Sequence, residues 1–87
     1  MTDIKKGFRK PGDDVASYRA ESRARAKLNG YTKTTKGLVD TFTKGERVIT
    51  VVHSAKHYVQ TVKVNGREVI KSGEKDKFIR LQPLLEV

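Results

Sequence analysis

Residues 47–70, RVITVVHSAKHYVQTVKVNGREVI, constrain the fold most, because only in this long stretch do β-branched and aromatic residues recur at strand spacing. We predict three antiparallel strands here. Asn65 and Gly66 tolerate the positive φ angles of a two-residue type I′ turn, which fixes a register. That register pairs Val64 with Arg67, Lys63 with Glu68, Val62 with Val69 and Thr61 with Ile70. The stretch predicts a scaffold and no activity.

The length and composition of the chain limit what else it can be. Its 87 residues make one domain, and a chain this short buries only about 60–65% of its unfolded surface, so we expect a homodimer or higher oligomer. With no cysteine there is no disulfide and no thiolate metal site, and we expect no metal and no cofactor. No apolar run is long enough for a membrane span or a signal peptide, which predicts a cytoplasmic protein with no membrane partner.

The net charge of +9 indicates an anionic partner. Nucleic acid is the first candidate, an acidic protein the second and a membrane surface the third. The excess is concentrated near the N-terminus, where residues 1–37 hold ten Lys and Arg against four Asp and Glu. The alternative is that lysine merely keeps a small protein soluble.

A basic arm and one helix account for this N-terminal charge. Residues 1–12 are predicted to form a flexible arm, and residues 13–87 a single α+β domain. The arm carries Lys5, Lys6, Arg9 and Lys10. Asp14 favours a helix start and Asn29-Gly30 a stop, so we predict a helix over residues 14–29.

The two sides of this helix are predicted to differ. Its apolar side, which should pack on the domain, comprises Ala16, Ala20, Ala24 and Leu28. The adjoining cationic side comprises Arg19, Arg23, Arg25 and Lys27. Since only Glu21 lies within the helix body to neutralise these cations, we interpret them as exposed groups that bind phosphate. The alternative is an ordinary solvated face.

The remaining chain is predicted to form a four- to five-stranded antiparallel sheet. Residues 31–36 form a polar connector in which Tyr31, Lys33 and Lys36 suit contacts to phosphate and sugar. Strands are predicted at residues 38–43, 48–53 and 77–81, in addition to the two that flank Asn65-Gly66. A three-residue loop at 54–56 would place His53 opposite His57. The apolar residues after Pro83 should pack on this sheet or on a second copy of the chain.

Two histidines are the only candidates for acid–base catalysis. His53 and His57 flank Lys56, and such a set could cleave RNA, with one histidine as base and the other as acid. The alternative, exposed or stacking histidines without catalysis, is favoured because no specific motif surrounds them. We therefore predict a non-enzyme.

The predicted order of one helix and five strands resembles the Sm-like RNA-binding layout. A double-stranded-RNA-binding domain also begins with a helix and hairpins, but it needs a final helix that LQPLLEV does not suggest. Residues 9–46, RKPGDDVASYRAESRARAKLNGYTKTTKGLVDTFTKGE, resemble the small accessory proteins of T-even-type bacteriophages, which include inhibitors of type III toxin–antitoxin ribonucleases. This resemblance implies an RNA-binding, dimeric antagonist of a host toxin in the host cytoplasm, and assigns no residue a role.

We therefore expect a non-catalytic protein that binds nucleic acid, RNA before DNA, through the phosphate backbone. Phe8, Tyr31 and Tyr58 are candidates for stacking on bases. The alternatives are an inhibitor that grips an acidic host protein, and a small basic ribonuclease. On the first hypothesis, Arg19→Glu with Arg23→Glu should abolish binding and leave the melting temperature nearly unchanged.

Overall fold

The computed structural model describes the backbone of residues 11–87 and the side chains of residues 18–87. It shows an α+β fold in which a helix precedes a five-stranded antiparallel sheet and a second helix follows it, so the predicted fold class is confirmed. The elements are α1 Pro11–Leu28, β1 Thr32–Lys36, β2 Val39–Lys44, β3 Arg47–His53, β4 Val59–Val64, β5 Arg67–Ile70 and α2 Lys77–Leu84. Most of the predicted flexible arm lies outside the described residues, but Pro11 and Gly12 belong to α1.

The sheet is a meander in which each strand pairs with the next one along the chain. Asn65 and Gly66 turn β4 into β5 with φ angles of 52° and 83°, as a type I′ turn requires. Beyond the first two pairs a bulge shifts the register, so that Val62 lies opposite Ile70 and not Val69. The predicted hairpin is therefore correct at its turn and wrong beyond it.

The connection between β3 and β4 is longer than the predicted three residues. It runs from Ser54 to Tyr58, and a second bulge places His53 opposite Val59 instead of His57. One residue of this loop, His57, has a positive φ of 69°, a conformation that costs free energy for any side chain larger than glycine.

One predicted strand is a helix, and one predicted connector is a strand. Residues 77–81 belong to α2, whose buried Leu81 lies on the same side as half-buried Phe78 and as Leu85 just beyond its end, the spacing of a helix. The polar residues Thr32–Lys36 form β1, an exposed edge strand that pairs with β2. Because one error removes a strand and the other adds one, the predicted number of strands is still correct.

Both helices contact the sheet on the face that carries the core. The fully buried side chains of that face include Phe42, Ile49, Val51, Val62 and Ile70, and α2 adds Leu81 and Leu85. Leu85 is thus packed within its own chain, as the first alternative predicts, whereas Val87 is 64% exposed and does not pack on the sheet. The other face presents half-buried threonine and valine side chains, among them Thr41, Thr50 and Val52.

The side of helix α1 that faces the sheet is not the predicted one but the opposite one. Ala20 and Ala24 are exposed, and Leu28 is 86% exposed. The buried side carries Arg19, Ser22 and Ala26. The hydroxyl oxygen of Ser22 accepts a hydrogen bond from Nε2 of Gln82 in α2. The predicted alanine contact is therefore wrong, and a polar contact holds the helix to the domain.

Candidate nucleic-acid interface

A buried carboxylate on β2 holds α1 against the sheet. Asp40 is 1% exposed and accepts two hydrogen bonds from Arg19, from Nε and Nη2, both at 3.0 Å. Arg23 donates two more from its own Nε and Nη2, both at 3.1 Å. The hydroxyl of Thr35 on β1 donates a fifth at 2.7 Å. One carboxylate thus ties one helix to two strands through charge-assisted bonds.

Arg19 is engaged on every side by this arrangement. Its Nη2 also donates to the carbonyl oxygen of Gly37, and its Nη1 lies 2.9 Å from Nδ1 of His57. Since a guanidinium can only donate, Nδ1 of His57 accepts this bond and carries no proton. Arg19 is 6% exposed, so the prediction that it belongs to an exposed stripe is wrong.

These contacts govern the ionisation of Asp40. Burial opposes its ionisation, but the hydrogen bonds from Arg19, Arg23 and Thr35 outweigh burial and hold the pKa of Asp40 far below its usual value. The carboxylate is therefore charged throughout the physiological range. The cluster of one anion and two cations keeps a net positive charge, and Arg23 is the more exposed of its two cations.

Most other arginines are also bound within the domain. Arg25 pairs with Glu86 and lies 4.0 Å from Glu21, and Arg80 pairs with Glu74. Of the six arginines among residues 18–87, only Arg67 makes no side-chain hydrogen bond or ion pair with another described residue. Five of the six arginines among residues 18–87 therefore make contacts within the domain.

Tyr31 serves the core and is not free to stack on a base. It is 5% exposed, its hydroxyl accepts a 2.8 Å bond from Nε of Arg47, and Nζ of Lys44 lies 5.0 Å from its ring centre. The expectation that Tyr31 is a stacking residue is therefore corrected. Tyr58, in contrast, is 53% exposed.

A groove between α1 and β1 brings together several of the predicted residues. Its volume is about 500 Å³, and we call it the α1–β1 groove. It is lined by Arg23, Ala24, Lys27, Tyr31, Thr32, Lys33 and Phe42. Lys27 stands on the helix wall and Lys33 on the strand wall, and both are exposed. A helix and a strand thus present cations toward one shared space.

The remaining predicted residues lie elsewhere. Lys36 is exposed on β1, but the alternation of a strand turns it to the opposite face from Lys33. Arg25 lies beside Glu86, outside the groove. Lys5, Lys6, Arg9 and Lys10 fall outside the described residues.

The two histidines lie at the β3–β4 connection, His53 at the end of β3 and His57 in the loop that follows. His53 is 2% exposed, and its Nδ1 donates to the carbonyl oxygen of Leu38 at 3.0 Å. Its Nε2 is buried with no partner among the described residues, and burial lowers its pKa. Nδ1 of His57 accepts a hydrogen bond from Arg19, so one nitrogen of each imidazole ring is hydrogen-bonded within the domain.

Sequence reasoning missed Asp40, the centre of the cluster. A signal was present, because strand alternation places Asp40 on the same face as Phe42, where the core lies. A carboxylate on the core face of a strand requires a cationic partner, and a helix with arginines four residues apart supplies two.

Fold and surface together define a small α+β domain that binds its arginines internally and exposes lysines. Comparisons with protein-family models, with curated proteins and with solved structures found no match. No helix among the described residues is long and apolar enough to cross a membrane. Within the same part of the chain, no three His, Asp or Glu side chains are grouped as a metal site would require.

Proposed function

We propose that the protein is a non-catalytic nucleic-acid-binding protein that holds the phosphate backbone, RNA before DNA, in the α1–β1 groove. The observation that supports this most is the set of exposed cations that have no carboxylate within 4.0 Å among residues 18–87. They are Lys27, Lys33, Lys36, Lys56, Lys63, Arg67, Lys71 and Lys75. Seven of these eight are lysines, which bind phosphate as point charges and read no base.

Among the places where these cations lie, the α1–β1 groove has the geometry best suited to a nucleic-acid phosphate backbone. Lys27 and Lys33 flank it from two elements, and the partly exposed Arg23 adds the residual charge of the Asp40 cluster. Thr32 supplies a hydroxyl on the strand wall. Hydroxyl groups beside cations suit the sugar 2′-hydroxyl as well as phosphate, which supports RNA over DNA.

The lysines of β1 have a second physical explanation. An edge strand with unpaired backbone groups attracts other strands, and lysine on such an edge prevents that pairing. This explanation covers Lys33 and Lys36 but not Lys27, which lies on the helix. The presence of a cation on the helix wall as well supports nucleic-acid binding in addition to protection of the edge.

The salt dependence of binding tests the proposal. We expect Lys27→Gln with Lys33→Gln to weaken binding to single-stranded RNA and to reduce the slope of log affinity against log salt by about 1.4, or about 0.7 for each lost contact. The matched control is Lys63→Gln with Lys71→Gln, which removes the same charge at exposed positions that do not line the groove. Equal losses in both variants would mean that net charge, and not the groove, carries binding.

The biological setting is part of the same proposal. The bacteriophage resemblance of residues 9–46 supports an inhibitor of a host ribonuclease toxin that acts in the host cytoplasm, as a dimer, through RNA. If instead the protein grips an acidic host protein, capture of that protein should survive nuclease treatment, and the groove variant should lose capture with no RNA present. The solution mass of the purified chain, measured after nuclease treatment, tests the dimer.

A further inference from the structure

An aromatic cleft lies between α1, α2 and the start of β4. Tyr18 of α1 and Phe78 of α2 have ring centres 5.0 Å apart, at an interplanar angle of 39°. Tyr18 is 45% exposed, Tyr58 53% and Ile79 65%. These residues line an open cavity of about 360 Å³ together with Val59, Asp76 and Lys77. We call this the aromatic cleft; three of the six exposed large apolar side chains among residues 18–87 are grouped here.

The loop before β4 holds Tyr58 in its exposed position. The backbone N–H of Ser54 donates to the carbonyl oxygen of Tyr58 at 2.9 Å, and that of His57 donates to the carbonyl oxygen of Ser54 at 2.8 Å. His57 has a positive φ, and its ring is fixed by Arg19. Strained backbone that surrounding contacts keep in place is typical of functional positions. The backbone that carries Tyr58 is therefore held by hydrogen bonds, which reduces the backbone entropy lost on binding.

The charge around the cleft indicates what it binds. Lys77 lines it, Lys56 and Lys75 are exposed within two chain positions of a lining residue, and Asp76 is the only carboxylate among residues 18–87 that lines it. Flat rings among cations suit a ligand that carries both a ring and a negative charge. Such a surface matches the bases and phosphates of a single strand, whose bases are free to stack.

The aromatic cleft is separate from the α1–β1 groove. Tyr18 and Lys27 are nine residues apart on α1, which is two and a half turns, or about 13 Å along the axis and half a turn around it. The two side chains therefore point to opposite flanks of the helix. A ligand in the groove does not reach the cleft without crossing α1.

We propose that the aromatic cleft binds an unpaired base of single-stranded RNA by stacking on Tyr58, an inference that rests on the proposed function. The groove holds phosphates of any strand, whereas the cleft selects strands with unstacked bases. Together they give the protein a preference for single-stranded over duplex RNA.

The test compares a single-stranded RNA with a duplex of the same length. Tyr58→Leu keeps an apolar side chain but removes the ring, and we expect it to weaken single-strand binding by about 5- to 150-fold and to leave duplex binding unchanged. Tyr58→Phe, the matched control, keeps the ring and should bind like the parent. Because Tyr58 is more than half exposed, neither change should unfold the domain.

A second readout reports stacking directly. The ring-proton resonances of Tyr58 should shift upfield when the single strand binds, and those of the buried Tyr31 should not. Unchanged single-strand affinity in Tyr58→Leu, or an equal loss for the duplex, overturns the inference. A change in solution mass on Tyr58→Leu also overturns it, since a second copy of the chain would then occupy the cleft.

Failure of the two proposals can be told apart. If Lys27→Gln with Lys33→Gln changes the salt slope but Tyr58→Leu changes nothing, the groove stands and the cleft does not bind RNA. If the reverse holds, the cleft binds RNA and the groove does not. If the parent protein binds neither RNA, both proposals fail.

Discussion

Replacement of Asp40 by asparagine tests whether an ionic cluster holds α1 on the sheet. Asparagine has nearly the same volume, so the change leaves no cavity, removes the charge and replaces one acceptor oxygen with an NH2 donor group. The Arg19 guanidinium, 6% exposed, then keeps its charge without a counterion, and its Nε–H faces an amide in place of a carboxylate. Every predicted consequence follows from this uncompensated charge.

The expected loss of stability is large for a domain of this size. Removal of one partner from a buried ion pair costs about 3–5 kcal/mol. Arg23 is 33% exposed, so water screens its share, and Arg19 accounts for most of the loss. For a domain of 60–100 residues, about 1 kcal/mol corresponds to 4–8 °C in melting temperature, which predicts a fall of about 12 to 40 °C.

Urea unfolding followed by circular dichroism measures this loss. The control is Glu46→Gln, which makes the same change of charge at an exposed position and should stay within about 0.5 kcal/mol of the parent. Asp40→Leu with Arg19→Met and Arg23→Met, which removes all three charges, should be more stable than Asp40→Asn alone. A loss below about 1 kcal/mol in Asp40→Asn would refute the role of the cluster.

Three further changes follow from the same structure. First, the free energy of unfolding should decrease in two steps as the pH is lowered. Burial lowers the pKa of His53, so below pH 6.5 this residue takes up a proton more readily in the unfolded chain than in the folded one. The lowered pKa of Asp40 adds a second loss below pH 3.8. A urea midpoint that stays constant from pH 8 to 5 would contradict the first step. Secondly, Leu81→Ala should cost about 2–5 kcal/mol and Leu28→Ala under about 0.5, since only Leu81 is buried; equal losses in thermal unfolding would contradict this. Thirdly, Arg19→Glu with Arg23→Glu should unfold the domain, the opposite of the sequence-based prediction, and a folded circular dichroism spectrum would exclude this.

The local signals of the sequence predicted those parts of the fold that depend on near neighbours. The Asn65-Gly66 turn, the β3 strand and the stop of α1 at Leu28 all follow from residues within a few positions of each other. The bulges that shift the β3–β4 and β4–β5 registers do not, because a bulge is favoured by packing across the sheet and not by the turn.

The two misassigned elements show where short patterns are ambiguous. Five residues of α2 alternate like a strand, and only the wider spacing from Phe78 to Leu81 and Leu85 indicates a helix. Strand β1 is an exposed edge strand and has no apolar residue. Its threonines were therefore the only residues in the sequence that favoured a strand. The final helix removes the objection raised against a double-stranded-RNA-binding layout, although the five strands and the absence of a structural match give that layout no support.

The candidate site was predicted only in part, because a sequence shows which residues are charged but not which of them form ion pairs in the folded chain. The acids of α1 were counted within the helix alone, whereas Asp40, which neutralises Arg19 and Arg23, lies 21 and 17 residues further along the chain. Once those pairs form, the unpaired cations on the described surface are lysines and Arg67, and the compact charge of lysine contacts phosphate without reading the base. On the proposed function, we expect selectivity among nucleic acids to come from groups other than these lysines, and the exposed rings of the aromatic cleft are suited to provide it.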